Sequence, residues 1–367
     1  MEKIEKITRI LEEVITYQDL KNYIKNNIPL NHYIGFELSG LAHLGTALLT
    51  SIKIKDFQEC GINTNIFLAD WHSWINDKLG GDMENIKNFG VNYFKEVFSA
   101  TLKSIGAQEV NFILASEFYK KNDHYWEIVI EIAKHTTLAR VKRSIDILGR
   151  EKKENIDFAK LIYPIMQVAD IFAGGFNLVH AGMDQRKAHV IARQVAFKIK
   201  RGGIYFKEKR LKPIALHQPL LPSLSKPPIW PLDEKNISKV KTELKMSKSK
   251  PEGCIFVHDS PQEIKEKIMK AFCPPNSTIY NPVLSIARLI ILPLKEIFKV
   301  KTQNGSVKTY TDQKSLIQDY QDGLIHPLDL KESVIEDLTQ IIYPIYKHFS
   351  SGYGKQLKET IISLISR

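Results

Sequence analysis

Apolar positions along this chain follow two rhythms. Near the start, Ile4, Ile7, Leu11, Val14 and Ile15 fall on one face at helical spacing and predict an N-terminal helical segment over residues 1–30. Short apolar runs then alternate with helical stretches. The runs predict strands beginning at Tyr33-Ile34, at Asn65–Ala69, at Val110–Leu114, at Asn177–Ala181 and at Ile214–His217, with Gly253–Val257 returning as a further strand. Strands and helices in alternation indicate an α/β protein with a doubly wound parallel sheet. The first run breaks at Ser39-Gly40 and resumes as a helix from Thr46 through Leu49. From Phe118 to Arg150 the pattern is helical and increasingly basic.

The C-terminal third changes character. Ser260, Pro261 and Glu263 spell a capping box with proline at the first helical position. Asn304-Gly305 predicts a hairpin, and the last long helix is expected from about Leu328-Asp329. Its buried stripe is Leu330, Val334, Leu338, Ile341 and Ile345, with a kink at Pro344. The expected organisation is a helical segment 1–30, an α/β domain 31–225 with a basic helical insertion near 118–160, a linker 226–258, and a mainly helical domain 259–367.

Composition narrows the class. The 367 residues are 43% hydrophobic and 25% charged, and no apolar run is long enough to span a bilayer. With a charged rather than signal-like start, we expect an intracellular, cytoplasmic protein with no membrane partner. Cys60, Cys254 and Cys273 have no metal-ligand or redox spacing, and no metal site is expected. A formal net charge of +11 suggests a polyanionic partner. Arg140, Lys142, Arg143 and Arg150 form either a solvated helix face or, as the overall charge favours, a nucleic-acid contact. There is no GxGxxG to hold a dinucleotide.

Five stretches carry candidate chemistry. His43-Leu44-Gly45-Thr46 follows a strand and opens a helix, which makes an anion site of unpaired amides and the positive end of a helix dipole. Gly45 admits close approach to the backbone and His43 adds a donor. Far downstream, Lys245-Met246-Ser247-Lys248-Ser249 stands in a polar segment expected to be a mobile loop, which is either a solvated basic loop or one whose two ammonium groups close over a triphosphate. Tyr163, Gln167 and Asp170 share one face of an otherwise apolar helix, for which Pro164 suits the first turn. They are either an internal hydrogen-bond network or a pocket for a small polar ligand. Gly182–Lys187 repeats the strand, glycine, helix-start arrangement and puts Asp184 and Gln185 at the sheet's carboxyl edge. Asp70 and His72 end another strand, where His72 is either a core histidine or a ligand contact.

His-Leu-Gly after a strand, paired with Lys-Met-Ser-Lys-Ser about two hundred residues later, resembles the HIGH and KMSKS motifs of class I aminoacyl-tRNA synthetases. Among these the chain is similar to the archaeal-type tyrosyl enzymes, through Tyr33–Glu37, Tyr163–Asp170, Gly182–Lys187, Ala271–Pro274 and His326–Asp329. The resemblance implies a Rossmann-like catalytic core and an anticodon-binding domain over 259–367. It implies ATP-dependent activation of L-tyrosine and transfer to tRNA(Tyr), with ATP entering as its Mg2+ complex and no tightly bound cofactor. By the same comparison Tyr33 and Asp170 hold the substrate phenol, and Tyr163, Gln167, Gln185 and Glu37 surround its head group. Gly35, His43, Gly45, Thr46, Gly182, Asp184, Lys245, Met246 and Lys248 serve ATP and the adenylate. Arg143, Arg186 and Lys187 meet the acceptor stem, and His326 and Asp329 the anticodon, although His326 also suits a helix cap. A homodimer is expected from the resemblance.

The chain departs from the pattern in places. Thr46 replaces the last histidine of HIGH, Leu38 stands where proline is common and Ala181 where glycine is common. No aromatic residue between Val300 and Val307 matches the anticodon-stacking position, and the excursion 218–241 is longer than expected. The rival readings are a tryptophanyl-tRNA synthetase, a small-molecule nucleotidyltransferase, and a paralogue that binds tRNA without charging it. Indole offers only a donor, so Tyr33 with Asp170 favours a phenol.

Overall fold

The computed structural model describes residues 2–145, 157–232 and 244–365. Its centre is a six-stranded sheet of β1 (Glu13–Ile15), β2 (His32–Phe36), β3 (Asn65–Leu68), β4 (Asn111–Leu114), β5 (Leu178–Gly182) and β8 (Ile214–Gln218), in the order β1-β8-β5-β2-β3-β4. All neighbours are parallel except β1, which runs antiparallel to β8. The chain moves outward from β2 through β3 to β4, then returns to β5 on the other side of β2. That reversal opens a crevice beyond the carboxyl ends of β2 and β5, the usual ligand position in such sheets. Two small hairpins lie outside the sheet. One joins β6 (Ile204–Phe206) to β7 (Lys209–Leu211), which sequence reading did not foresee. The other joins β9 (Phe298–Lys301) to β10 (Val307–Tyr310), around the expected Asn304-Gly305 turn.

Burial on both faces explains the run-like strands. Along β3, Ile66 and Leu68 enter one apolar cluster and Phe67 the other, as the two-residue side-chain period requires. The first cluster continues without a break into the C-terminal helices. Leu48, Phe94 and Phe98 share it with Ile264, Leu330, Val334, Leu338, Leu357 and Ile361. The C-terminal region is therefore built onto one face of the α/β core. The capping box at Ser260 forms as expected.

Several expectations are corrected. The N-terminal helix stops at Thr8, and Val14 and Ile15 belong to β1. Their β-branched side chains suit a strand, and β8 supplies the partner: the Glu12 N–H donates to the His217 carbonyl at 2.9 Å. Lys53 ties the preceding helix down, its ammonium taking the carbonyls of Lys6, Ile7 and Arg9 at 3.2, 3.0 and 3.0 Å. The helix carrying Tyr163 runs from Phe158 to Ala173, so Pro164 lies inside it; Asp157 supplies the N-cap. The helix after the HIGH turn is assigned from Leu48, two residues later than expected. Cys254–Phe256 is extended but makes only an isolated bridge. The Pro327–His348 helix holds Leu330, Val334, Leu338 and Ile345 in the core, with Ile341 only partly buried. A further helix, Gly352–Ile365, follows it. Arg150 and residues 233–243 of the excursion lie outside the described residues. Among the described residues no helix is long and apolar enough to cross a membrane.

Candidate active site

A cavity of about 440 Å³ fills the crevice at the strand reversal. One end is formed by Tyr33, His72, Tyr163, Gln167 and Asp170, the other by His43, Gly45, Thr46, Lys245 and Lys248. Glu37, Gly35, Gly182, Asp184, Gln185 and Met246 line it too.

The end that holds His43 and the two lysines is fixed by backbone pairing between distant segments. His43 bridges Phe256, with the Leu44 N–H donating to the Ile255 carbonyl at 3.0 Å and the Val257 N–H to that of Ala42 at 3.1 Å. Lys245 bridges Pro222, and the Met246 N–H donates to the Leu221 carbonyl at 2.6 Å. Met246 is itself in the core, 2% exposed, so the Lys-Ser segment is anchored at its second residue rather than being a free loop. Lys248 donates to the Ser39 hydroxyl, and Lys245 pairs with Asp184.

His43 is oriented by its own turn. Its Nδ1 accepts from the Gly45 and Thr46 amides at 3.1 and 3.4 Å, which leaves the proton on Nε2, 3.0 Å from the Thr46 hydroxyl. Burial first, then the Lys248 and Lys245 ammonium groups, hold this imidazole neutral, far below its ordinary value. It is thus a neutral donor rather than a cation, and Thr46 is its hydrogen-bond partner. Those same amide bonds correct the expected anion site: two N–H groups at the turn are already occupied by His43. Burial, then Lys78, lowers Lys248 to about 7. Gln218 donates to the Gly45 carbonyl at 3.2 Å and to Thr50 at 3.3 Å, fixing the turn from below.

At the other end, the Tyr33 ring stacks on Phe176 at 4.9 Å, and its hydroxyl passes over Gly35. A Cβ on Gly35 would come within 2.8 Å of that oxygen. The Tyr33 hydroxyl has no hydrogen bond among the described residues. Asp170 is 1% exposed and driven up to about 8 by burial. Its Oδ1 accepts from Tyr119 and Tyr125, while Oδ2 has no hydrogen-bond partner among the described residues and lies 3.8 Å from His72 Nε2. Glu37 Oε1 accepts from Tyr163 and Asn76, both at 2.8 Å, with Lys78 at 3.6 Å from Oε2. Gln167 donates to Gln185 at 3.2 Å.

Each polar residue of this helix face is hydrogen-bonded, Tyr163 to Glu37, Gln167 to Gln185 and Asp170 to Tyr119 and Tyr125, and all three line the cavity. His72 is buried, held neutral by burial, and lines the cavity. Sequence reading missed Ser39, Lys78, Asn76, Tyr119, Tyr125 and Gln218. Only Ser39, at the break after β2, carried a local signal.

The proposed tRNA residues lie outside the cavity. Arg143 is exposed on the Leu138–Ser144 helix, and Lys187 donates to its carbonyl at 2.7 Å, so these two are neighbours. Arg186 forks onto Glu13 of β1 at 2.8 Å. His326 caps the Pro327–His348 helix, its Nδ1 accepting from the Leu328 amide at 3.2 Å. Asp329 is buried with Oδ1 unpaired among the described residues. No group of three or more His, Cys, Asp and Glu side chains is placed to hold a metal among the described residues.

A mainly parallel sheet with a cavity at its switch point, lined by His43 and two later lysines, defines a class I synthetase core. The family model of class I tRNA synthetases (W and Y) matches residues 25–342. The tyrosine--tRNA ligase of Thermococcus gammatolerans is 51% identical over 344 residues, 92% of each chain. Among solved structures, the tyrosyl-tRNA synthetase of Pyrococcus horikoshii complexed with L-tyrosine superposes with a TM-score of 0.92 at 48% identity, covering 99% of both chains. That from Aeropyrum pernix gives 0.82 at 37% identity, over 99% of this chain and 98% of that one. The chain belongs to the class I tRNA synthetases of the tryptophan and tyrosine group and, within it, to the archaeal tyrosine--tRNA ligase family.

Proposed function

We propose that the cavity is the tyrosine and adenylate site of a tyrosine--tRNA ligase. One observation carries the reading: His43, Lys245 and Lys248 share a single cavity with Tyr33 and Asp170. In the first step a carboxylate oxygen of tyrosine attacks the α-phosphorus of Mg2+-ATP, and pyrophosphate leaves. In the second a hydroxyl of the terminal tRNA ribose attacks the acyl carbon, and AMP leaves. No protein nucleophile takes part. The chain's contribution is placement and charge stabilisation.

The Nε2–H of His43 leaves Thr46, and Lys245 and Lys248 leave Asp184 and Ser39, to donate to phosphate oxygens. Glycine at 45 and 182 admits the adenylate against the backbone, Gly35 leaves room for the Tyr33 hydroxyl, Asp184 lies near the ribose and Met246 anchors the lysine loop. Gln167, Gln185, Tyr163 and Glu37 surround the substrate ammonium. Tyr33 donates to the phenol oxygen while Asp170 Oδ2 accepts its proton. Phenylalanine leaves both unpaired. Discrimination of this kind by tyrosyl-tRNA synthetases is known to reach about 10⁵-fold without editing.

Arg143, with Lys187 beside it, and Arg186 form the acceptor-stem face, and 259–367 is the anticodon-binding domain through His326 and Asp329. The protein works in the cytoplasm as a homodimer; exposed Trp126, Ile130 and Leu138 on neighbouring helices supply apolar surface for a second copy. ATP–pyrophosphate exchange with separate amino acids tests the reading. Exchange driven by tyrosine alone is expected; exchange driven by tryptophan and not tyrosine overturns it.

A further inference from the structure

The carboxylate that meets the substrate phenol is itself held by two phenols of the protein. Tyr119 donates to Asp170 Oδ1 at 3.0 Å and Tyr125 at 2.8 Å. They come from different helices, Ala115–Lys121 and Tyr125–Lys134, and their rings stack with centroids 4.0 Å apart and planes at 26°. Both are buried, at 8% and 0% exposure. Two donors entering one oxygen fix the plane of the carboxylate and leave the lone pairs of the other oxygen to the ligand. Oδ2 has no hydrogen bond among the described residues, and Asp170 lines the cavity.

We propose that Tyr119 and Tyr125 are positioning residues that set the preference for a hydroxylated over a bare aromatic ring by aiming Oδ2 of Asp170 into the cavity. The inference rests on the tyrosine reading of the cavity. Asp170 is faced by Tyr33 from β2, by Asp70 and His72 from the helix after β3, by Tyr119 and Tyr125, and by Tyr163 and Gln167 of its own helix. Burial raises it, Asp70 adds to that, and the two phenols are the groups that lower it. A protonated Asp170 has lost the acceptor that Oδ2 offers.

The test is ATP–pyrophosphate exchange by the full chain carrying Tyr119→Phe, with tyrosine and phenylalanine as separate substrates, from pH 6 to 9.5. We expect kcat/KM for tyrosine to fall by ~10- to 100-fold while that for phenylalanine stays within about twofold, the size of a lost charge-assisted hydrogen bond. The acid limb of the tyrosine profile moves to higher pH. Equal losses for both amino acids would mean a merely structural role and overturn the proposal, as would an unchanged ratio. Tyr125→Phe is read the same way. The unaltered enzyme gives a check that needs no variant: its preference for tyrosine should weaken as pH falls through the Asp170 range, and a flat preference overturns the proposal. Absence of tyrosine-driven exchange in the unaltered enzyme would instead sink the functional reading beneath it.

Discussion

The ammonium of Lys248 donates to the hydroxyl of Ser39, joining residues 209 apart in the chain. Ser39 follows the β2 strand that carries Tyr33 and Gly35, so the lysine segment is latched to the strand that walls the other end of the cavity. In the proposed reaction, phosphates entering the cleft replace that hydroxyl as the acceptor.

Lys248→Ala should slow adenylate formation ~100- to 1000-fold, the usual cost of removing one transition-state donor, and leave tRNA binding intact. Single-turnover pyrophosphate release and filter binding measure the two. The pH dependence follows from its position. Burial lowers Lys248 to about 7, so the free enzyme holds this group largely unprotonated at pH 8.5. ATP favours the ammonium, so binding takes up a proton at pH 8.5 and none at pH 6. Titration calorimetry in buffers of different ionisation enthalpy reads this, and Lys248→Ala should abolish it.

Gly35→Ala tests the phenol pocket without removing a polar group. The new methyl meets the Tyr33 hydroxyl at 2.8 Å, and the ring must move. Tyrosine KM should rise roughly 10-fold, about 1.4 kcal/mol, while ATP KM stays near its original value. Equal changes in both would show that the strand, rather than Tyr33, had shifted.

Asp170→Asn should trade activity for stability. In the folded chain Asp170 is raised to about 8 by burial, whereas unfolded it titrates near the ordinary carboxylate range. The folded state therefore binds more protons across that interval, and the native enzyme loses stability as pH rises through it, at most about 1.4 kcal/mol per pH unit. Asparagine removes that loss. Denaturation midpoints of the two proteins should converge near pH 4 and separate toward pH 8, the variant being the more stable. Tyrosine activation by the variant should be nearly lost.

Lys53→Met probes the N-terminal latch. Lys53 is fully buried, donates to three carbonyls and pairs with Asp56 at 2.9 Å. Methionine keeps the volume but strands Asp56 with Arg9 alone. We expect a loss of about 3–5 kcal/mol, as for breaking a buried pair, in urea denaturation. A loss under 1 kcal/mol contradicts the latch.

The parts of this fold legible in sequence are those written locally. Ile66, Phe67 and Leu68 alternate between two apolar faces, and His43–Thr46 and Lys245–Ser249 carry their chemistry in consecutive residues. What escaped notice depends on partners far away. Val14 and Ile15 fit helical spacing as well as a strand, and only β8, two hundred residues on, decides between them. Tyr119 and Tyr125 look like ordinary core aromatics until Asp170 is placed beside their hydroxyls. Pro164 marks a first turn in isolation, yet the Asp157 cap starts the helix earlier. Glu37 reaches Tyr163 and Asn76 through no pattern in the chain.

The most direct measurement is a crystal structure of the full chain with a non-hydrolysable tyrosyl-adenylate analogue. The phenol oxygen should lie within hydrogen-bond distance of Asp170 Oδ2 and Tyr33 Oη, and the adenosine and phosphate against His43, Gly45 and Gly182, with Lys245 and Lys248 turned toward the phosphate. An analogue bound with its phenol away from Asp170, or on a face that His43 and Lys248 do not share, would contradict the single-cleft arrangement.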